Sequence, residues 1–418
     1  MTSSTTASVT SEPRTERAIT GPLLLVLALL SAVAPFATDL YLPAFPEMTG
    51  ELSASATAIQ LTLTAFLVGV TTGQLAFGPL SDRFGRRGPL LFGAALCVAA
   101  GIVAVIAPSV GVLVAARFAQ GFGGAAGMVI GRAIISDLAA GRAAARAFSL
   151  MMIVGGVAPV LAPLLGGFLV NPIGWRGILG VVLGISVLML VSIIGVVRET
   201  LPPDRRRRDA AATTATAAAA ASPRELLRPG FLGYAGTFAF SFAVMMAYIS
   251  ASPFVYQDMI GLSSGGYGLA FGANALALMA ISALAARLVA TRQVRHLVGI
   301  GLSVMSLAVI TFGILVVTAA PAMWLAVPLF VMVGSLGMIF GNATALAMSA
   351  VGSHAGSASA VLGALQFGLG ALVSPLVSIQ GPDTAAPLAV VMLIAAVIAI
   401  ASFLAAGRGR PTPVPEPV

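Results

Sequence analysis

The sequence predicts an all-α membrane protein of about twelve spans, and three observations carry that prediction. Mean hydropathy is +1.03, and 58% of the 418 residues are hydrophobic against 9% charged, outside the range of ordinary soluble chains. The apolar residues gather in runs of about 20, each long enough to cross a hydrocarbon core. The arginines concentrate in alternate connections between the runs, as they do when basic loops stay on the cytoplasmic side.

Residues 1–19, rich in Ser and Thr, read as a disordered tail. The first run, Leu23 to Leu42, contains Ala32-Val33-Ala34, which looks like a signal-peptidase site. Pro35 would follow the cut and disfavours cleavage, so the run is read as a retained helix. Further runs lie at about 57–77, 89–108, 110–132, 147–170, 177–197, 231–252, 265–286, 297–318, 322–345, 355–378 and 385–405. Arg83, Arg86 and Arg87 fall in the second connection, and Arg132, Arg142 and Arg146 flank the fourth. Arginines from Arg198 to Arg228 populate the sixth, Arg287, Arg292 and Arg295 the eighth, and Arg408 and Arg410 follow the last run. The odd connections hold only Arg176, which places both termini and the even connections in the cytoplasm.

The stretch 199–229 differs in kind, with Arg205-Arg206-Arg207-Arg208 followed by an Ala/Thr tract. Such a cluster can bind nucleic acid or anionic lipid. At the midpoint of the chain it reads as an anchor within a linker. The expected organisation is a cytoplasmic tail (1–19), a six-helix half (20–198), a cytoplasmic linker (199–229), a second six-helix half (230–406) and a cytoplasmic tail (407–418).

Absences exclude several function classes. No lysine occurs, so neither a P-loop nor Schiff-base chemistry is possible. Cys97 is the single cysteine and cannot form an internal disulfide. His296 and His354 stand in separate connections without a second ligand at metal spacing, so no metal or other cofactor is expected. The net charge of +8 sits in loops between apolar runs and implies membrane anchoring, with no nucleic-acid partner.

Four stretches carry candidate chemistry. Gly78-Pro79-Leu80-Ser81-Asp82-Arg83-Phe84-Gly85-Arg86-Arg87-Gly88 is a polar knot between two apolar runs; its glycines and proline predict a tight turn, and Asp82 should be ionised and paired. Asp137, at the end of the fourth helix, is placed to join it. Asp39 lies near the outer end of the first helix, where a carboxylate opposes the helix dipole. It is either an interfacial acid touching water or a carboxyl in a hydrated cavity that binds and releases a proton. Arg117, in the fourth helix, either snorkels to outer headgroups or is buried on Gln120 or, in one state, on Asp39. Gly121, Gly124, Met128 and Gly131 continue its face as a small-residue stripe. In the fifth helix, Pro159 and Pro163 favour a bend while Gly156, Gly166 and Gly167 remove bulk. The halves are weakly alike, with Gly121-Phe122-Gly123-Gly124 and Gly334-Ser335-Leu336-Gly337 at comparable places. The counterpart of the polar knot near Ala286-Arg287 and Arg292 keeps basic residues but no Asp.

The knot matches G-x-L-x-D-R-x-G-R-R, and the chain thereby resembles the major facilitator superfamily. Arg117-Phe118-Ala119-Gln120-Gly121 is similar to that superfamily's proton-coupling R-x-x-Q-G motif. Gly156 to Gly167 resembles its antiporter signature, with Ala158 and Ala162 in place of two glycines. Asp39-Leu40-Tyr41-Leu42-Pro43, the stretch Tyr248 to Gln257 with Asn274, and Ala355 to Ala360 with Gln366 narrow the resemblance to the bicyclomycin-resistance and chloramphenicol-efflux (Bcr/CflA) family of drug:proton antiporters. The resemblance implies a major facilitator fold of two six-helix halves in a bacterial inner membrane. It implies antiport of protons against small amphiphilic drugs by a monomer in the lipid bilayer, driven by the proton-motive force without a cofactor. Asp39, Arg117 and Gln120 would couple protons, and Tyr41, Tyr248, Phe254, Tyr256, Asn274 and Gln366 would line a substrate cavity. Gly78, Asp82, Arg83, Gly85, Arg86, Arg87 and Asp137 would form a cytoplasmic gate. Related exporters often carry a second acid two turns before the Asp39 position; Ser31 stands there, which argues against cationic drugs. The same-fold alternative is an exporter of an endogenous metabolite such as an amino acid or sugar. A channel would conduct without saturable exchange, and a membrane enzyme would need a nucleophile–base or metal constellation that the sequence lacks.

Overall fold

The computed structural model describes residues 20–139, 141–201, 227–351 and 355–406. The expected tails, residues 202–226 with Arg205 to Arg208, and His354 lie outside the described residues. The described residues form helices joined by short connections: α1 Gly21–Asp39, a short α2 Phe45–Glu51, α3 Ala56–Phe84, α4 Arg87–Val105, α5 Val110–Leu138 and α6 Gly141–Val196, then α7 Pro229–Pro253, α8 Ser264–Leu288, α9 Val294–Val317, α10 Ala326–Ser349, α11 Ala355–Val373 and α12 Ala386–Ala406. Helices are what hydrocarbon permits, because each backbone N–H and C=O must find its partner within the segment. Ser55, Ser109 and Ser263 start α3, α5 and α8, each accepting from the backbone N–H three residues on.

Among the described residues, eleven helical stretches are long and apolar enough to cross a bilayer. One of them must cross twice. α6 has 56 residues, which would extend roughly 84 Å as a straight helix, far beyond a bilayer. It is broken at Gly174, whose φ of 65° only glycine adopts readily, and the chain returns from there. The two arms bring the total to twelve crossings.

Two expected boundaries move. The polar knot is not a long turn: α3 runs through Gly78 and Pro79 to Phe84, and Gly85, at φ 91°, makes the break. Pro79 removes one backbone hydrogen bond without ending the helix, and Asp82 and Arg86 pair four residues apart beyond it. The first run also ends early. α1 stops at Asp39, and Leu42–Ala44 forms a 3₁₀ turn into α2, with Pro43 and Pro46 at the first turns of the two segments.

The helices up to α6 pack as one group, chiefly through α3 on α5, α4 on α5 and α1 on α6. Those from α7 onward form a second group, through α7 on α12, α9 on α10 and α8 on α10. The small-residue positions repeat between groups: Gly121 of α5 sits against the Phe66 carbonyl of α3, and Gly337 of α10 against the Leu278 carbonyl of α8. The groups meet where α6 packs on α8 and α3 on α11. Hydrogen bonds join them at the end away from Arg86. Gln60 Nε2 donates to the Ser250 carbonyl at 3.0 Å and to Ser378 Oγ at 2.8 Å, and Gln257 Nε2 donates to the Pro43 carbonyl at 3.0 Å. Phe45 and Phe254 pack across the same end as a tilted pair, 6.1 Å between ring centres. Exposed Leu25, Phe92, Leu188 and Leu307 face outward, where lipid would cover them.

Candidate functional site

The end of α1 delivers the central acid. Pro35 sits inside α1, and the helix terminates on Asp39, a buried residue on the wall of a cavity of about 250 Å³ between the two helix groups. The wall draws on α1, α3, α5 and α6 on one side and α7, α8, α10 and α11 on the other. Most of it is apolar, including Phe66, Phe242, Phe271 and Phe367 with Met128, Met245 and Met246. Its polar members are Thr38, Asp39, Tyr248, Asn274 and Gln366. Asp39 is thus the one carboxylate among the lining residues, and an ionisable group placed there marks a candidate functional site.

Arg117 is fully buried, so snorkelling does not describe it. Its Nη1 donates to Gln120 Oε1 at 2.6 Å and its Nη2 to the Ala37 carbonyl at 2.5 Å. The guanidinium lies between the rings of Tyr41 and Phe66, 4.4 and 4.5 Å from their centres. Burial makes such cation–π contacts worth about 2 kcal/mol or more. Ala37 is in the last turn of α1, whose carbonyls lack intrahelical donors. Arg117 therefore caps the helix that carries Asp39. No ion pair joins it to Asp39 itself among the described residues.

Three of the six residues expected to line the cavity do so: Tyr248, Asn274 and Gln366. Tyr41, Phe254 and Tyr256 lie behind the wall. Tyr41 is held against Arg117 and Phe45, with its hydroxyl 3.1 Å from Thr62 Oγ1. Phe254 packs on Phe45. Tyr256 accepts from Asn274 Nδ2 at 3.1 Å, and the same amide donates to Tyr248 at 2.6 Å. Phe254 and Tyr256, within the π-helical turn Phe254–Met259, do not share the cavity face that Phe242, Met245, Met246 and Ile249 present. Those four recur at intervals of three and four along α7, a periodicity that was available in the sequence.

The α6 residues sit beside Asp39. Pro159 lines the cavity, Gly166 lies against the Leu40 carbonyl and Gly167 against the Ser264 carbonyl. The Pro163 carbonyl faces Gly268 of α8. Gly156 is helical, and its surroundings lie outside the described residues.

At the other end, Arg86 gathers the polar knot. Its Nε donates to Asp137 Oδ2 at 2.9 Å, and its Nη1 to Asp82 Oδ1 at 2.5 Å and Ser81 Oγ at 2.9 Å. Burial pulls the Arg86 pKa down, but its bonds to Asp137 and Asp82 outweigh that and raise it. Glu199, not foreseen from the sequence, caps α4: Oε1 accepts from Arg86 N at 2.9 Å and Oε2 from Arg87 N at 3.3 Å. Its charge among many linker charges gave no signal. Arg83 lies over the Phe84 ring, while Arg87 donates to the Ile194 carbonyl. Gly78 and Gly88 are helical positions, so of the three glycines Gly85 alone makes the turn. All these partners belong to the first helix group.

Twelve crossings among the described residues, in two groups around a central, mostly apolar cavity, are the architecture of a membrane transporter. Residues 27–375 match the Major Facilitator Superfamily. An uncharacterized MFS-type transporter, YdgK, of Bacillus subtilis (strain 168) is 37% identical over 391 residues, covering 93% of this chain and 96% of that protein. A bicyclomycin resistance protein homolog of Haemophilus influenzae is 30% identical over 382 residues, with 91% and 94% covered. The multidrug resistance protein MdtL of Vibrio parahaemolyticus is 24% identical over 370 residues, with 88% and 92% covered. Among solved structures, a D-xylose–proton symporter superposes with a TM-score of 0.72 at 19% identity, covering 90% of this chain and 96% of that one, a likeness of fold. The chain belongs to the major facilitator superfamily, and within it to the family of the bicyclomycin-resistance proteins.

Proposed function

We propose that the protein exports small amphiphilic antibiotics or related compounds, chloramphenicol- or bicyclomycin-like, in exchange for protons across a bacterial inner membrane. The observation that carries this reading is Asp39, the single carboxylate on the wall of an otherwise neutral, aromatic cavity between the two helix groups. The names of the bicyclomycin-resistance and multidrug-resistance relatives support it. Proton and substrate compete for one conformational balance: protonating Asp39 when the cavity faces outward favours its return, and deprotonation inside favours reloading. Arg117 and Gln120 hold the end of α1 in place during that exchange. The drive is roughly 2.3 kcal/mol per charge per 100 mV plus about 1.4 kcal/mol per pH unit. One proton can therefore sustain a substrate gradient of tens-fold or more.

In this reading the protein works as a monomer in the bilayer with the proton-motive force as its only energy source. Both termini and the Arg86 cluster face the cytoplasm, as the arginine distribution indicates. Phe242, Phe271 and Phe367 would hold ring-bearing compounds by stacking, while Tyr248, Asn274 and Gln366 offer hydrogen bonds to neutral polar groups. A resistance panel in an efflux-deficient bacterial host, with and without a proton uncoupler, tests the reading. Resistance to neutral amphiphilic antibiotics that the uncoupler abolishes supports it. Unchanged susceptibility, with counterflow of a labelled amino acid or sugar in proteoliposomes, would assign metabolite export instead.

A further inference from the structure

A second concavity lies away from the central cavity, on the rim of the second helix group, where the end of α8 and the start of α9 meet the last turns of α12. It measures about 970 Å³. Its upper edge is basic: Arg292, Arg295 and His296 line it, and no carboxylate is among its lining residues. Its lower wall is apolar, with Ile300 and Val304 one turn apart on α9 and Ile400, Phe403 and Leu404 on α12. Ile300 and Leu404 are 50% and 56% exposed on the outer rim, so the groove opens sideways toward lipid rather than toward the substrate cavity.

The two arginines differ in a useful way. Arg295 is held in place: its Nη1 donates to the Tyr234 hydroxyl at 3.2 Å, and its guanidinium lies 4.9 Å from the centre of the Phe403 ring. Arg292 is exposed and projects at the connection between α8 and α9. A fixed guanidinium and an exposed one at the ends of membrane-crossing helices suit an anionic oxygen pair, and the apolar wall beside them suits acyl chains. A soluble anion would use the first feature and leave the second unexplained.

We propose that this groove is a binding site for an anionic phospholipid, its phosphodiester held by Arg292 and Arg295 and its chains laid along Ile300, Val304 and Leu404. The basic residues near Arg287 and Arg292, left without the acid that their counterpart in the first half has, thereby acquire a role of their own. The lipid would brace α9 against α12 in the second helix group, whatever the transported substrate.

Native mass spectrometry tests this on the purified full chain in mixed micelles of equal phosphatidylglycerol and phosphatidylcholine. Wild type is expected to retain phosphatidylglycerol preferentially. Arg292→Ala should lower that preference about fivefold, the factor that roughly 1 kcal/mol per basic residue at an anionic surface implies. Val304→Trp, which fills the groove and spares both arginines, should lower total retention. Millimolar inorganic phosphate should not displace the lipid. Both variants keeping the wild-type lipid ratio and occupancy would overturn the proposal. Displacement by inorganic phosphate would also overturn it, by reducing the site to a simple anion pocket. Equal thermal unfolding of all three proteins in phosphatidylcholine alone controls for folding.

Discussion

At the scale of single residues, two arginines show how the same charge serves different ends. Arg117 is wholly buried, and its contacts are a side-chain amide, a backbone carbonyl and two aromatic faces. Arg86 is bound to two carboxylates of unequal exposure: the side chain of Asp137 is 10% exposed and that of Asp82 68%. Removing Arg86 would strand Asp137, whereas neutralising Asp82 breaks a solvated pair. Arg86→Met should therefore destabilise by about 3 kcal/mol, and Asp82→Asn by less than about 1 kcal/mol. Unfolding of the detergent-solubilised variants checks this, and equal losses would contradict the assignment. Asp39 and Arg117 were legible because any ionisable group inside an apolar run stands out. Glu199 was not, since its significance depends on the two α4 amides that the fold brings to it.

At the scale of elements, the apolar runs located the membrane-crossing helices but not the short α2, and local chemistry misplaced some ends. A glycine–proline pair read as a turn at Gly78-Pro79 is helical, because one missing hydrogen bond does not outweigh continued pairing on either side. The break at Gly174 was foreseen only as a gap between two runs. The fold also shows why Gly166 is small: a Cβ there would strike the Leu40 carbonyl, in the segment that follows Asp39. Gly313 of α9 has nothing within 4 Å of the same position. Gly166→Ala should cost about 1–3 kcal/mol through overpacking, whereas Gly313→Ala should be neutral or stabilising by up to about 1 kcal/mol. Unfolding midpoints of the two variants measure the difference, and matching midpoints would remove the close approach of α6 to α1 as a constraint.

At the scale of the whole molecule, two helix groups enclose a cavity, and the hydrogen bonds of Gln60 and Gln257 join the groups at one end of it. The grouping could be anticipated from the repeated glycine positions and the central basic stretch. The cavity wall could not be read in full, because in a membrane protein an apolar side chain facing a ligand and one facing lipid look alike. Phe66, Phe271 and Phe367 are cavity residues for that reason unforeseen. The polar members Tyr248, Asn274 and Gln366 were reached through the stretches that resemble the Bcr/CflA family. Transport coupling is a property of the assembled whole, yet it converges on Asp39. The most direct measurement is therefore export of a panel-identified antibiotic from proteoliposomes under an imposed proton gradient, comparing wild type with Asp39→Asn. Wild-type export should rise with the gradient, while Asp39→Asn should lose gradient-driven export and retain substrate counterflow. Gradient-driven export by Asp39→Asn at the wild-type rate would contradict proton coupling through this carboxylate.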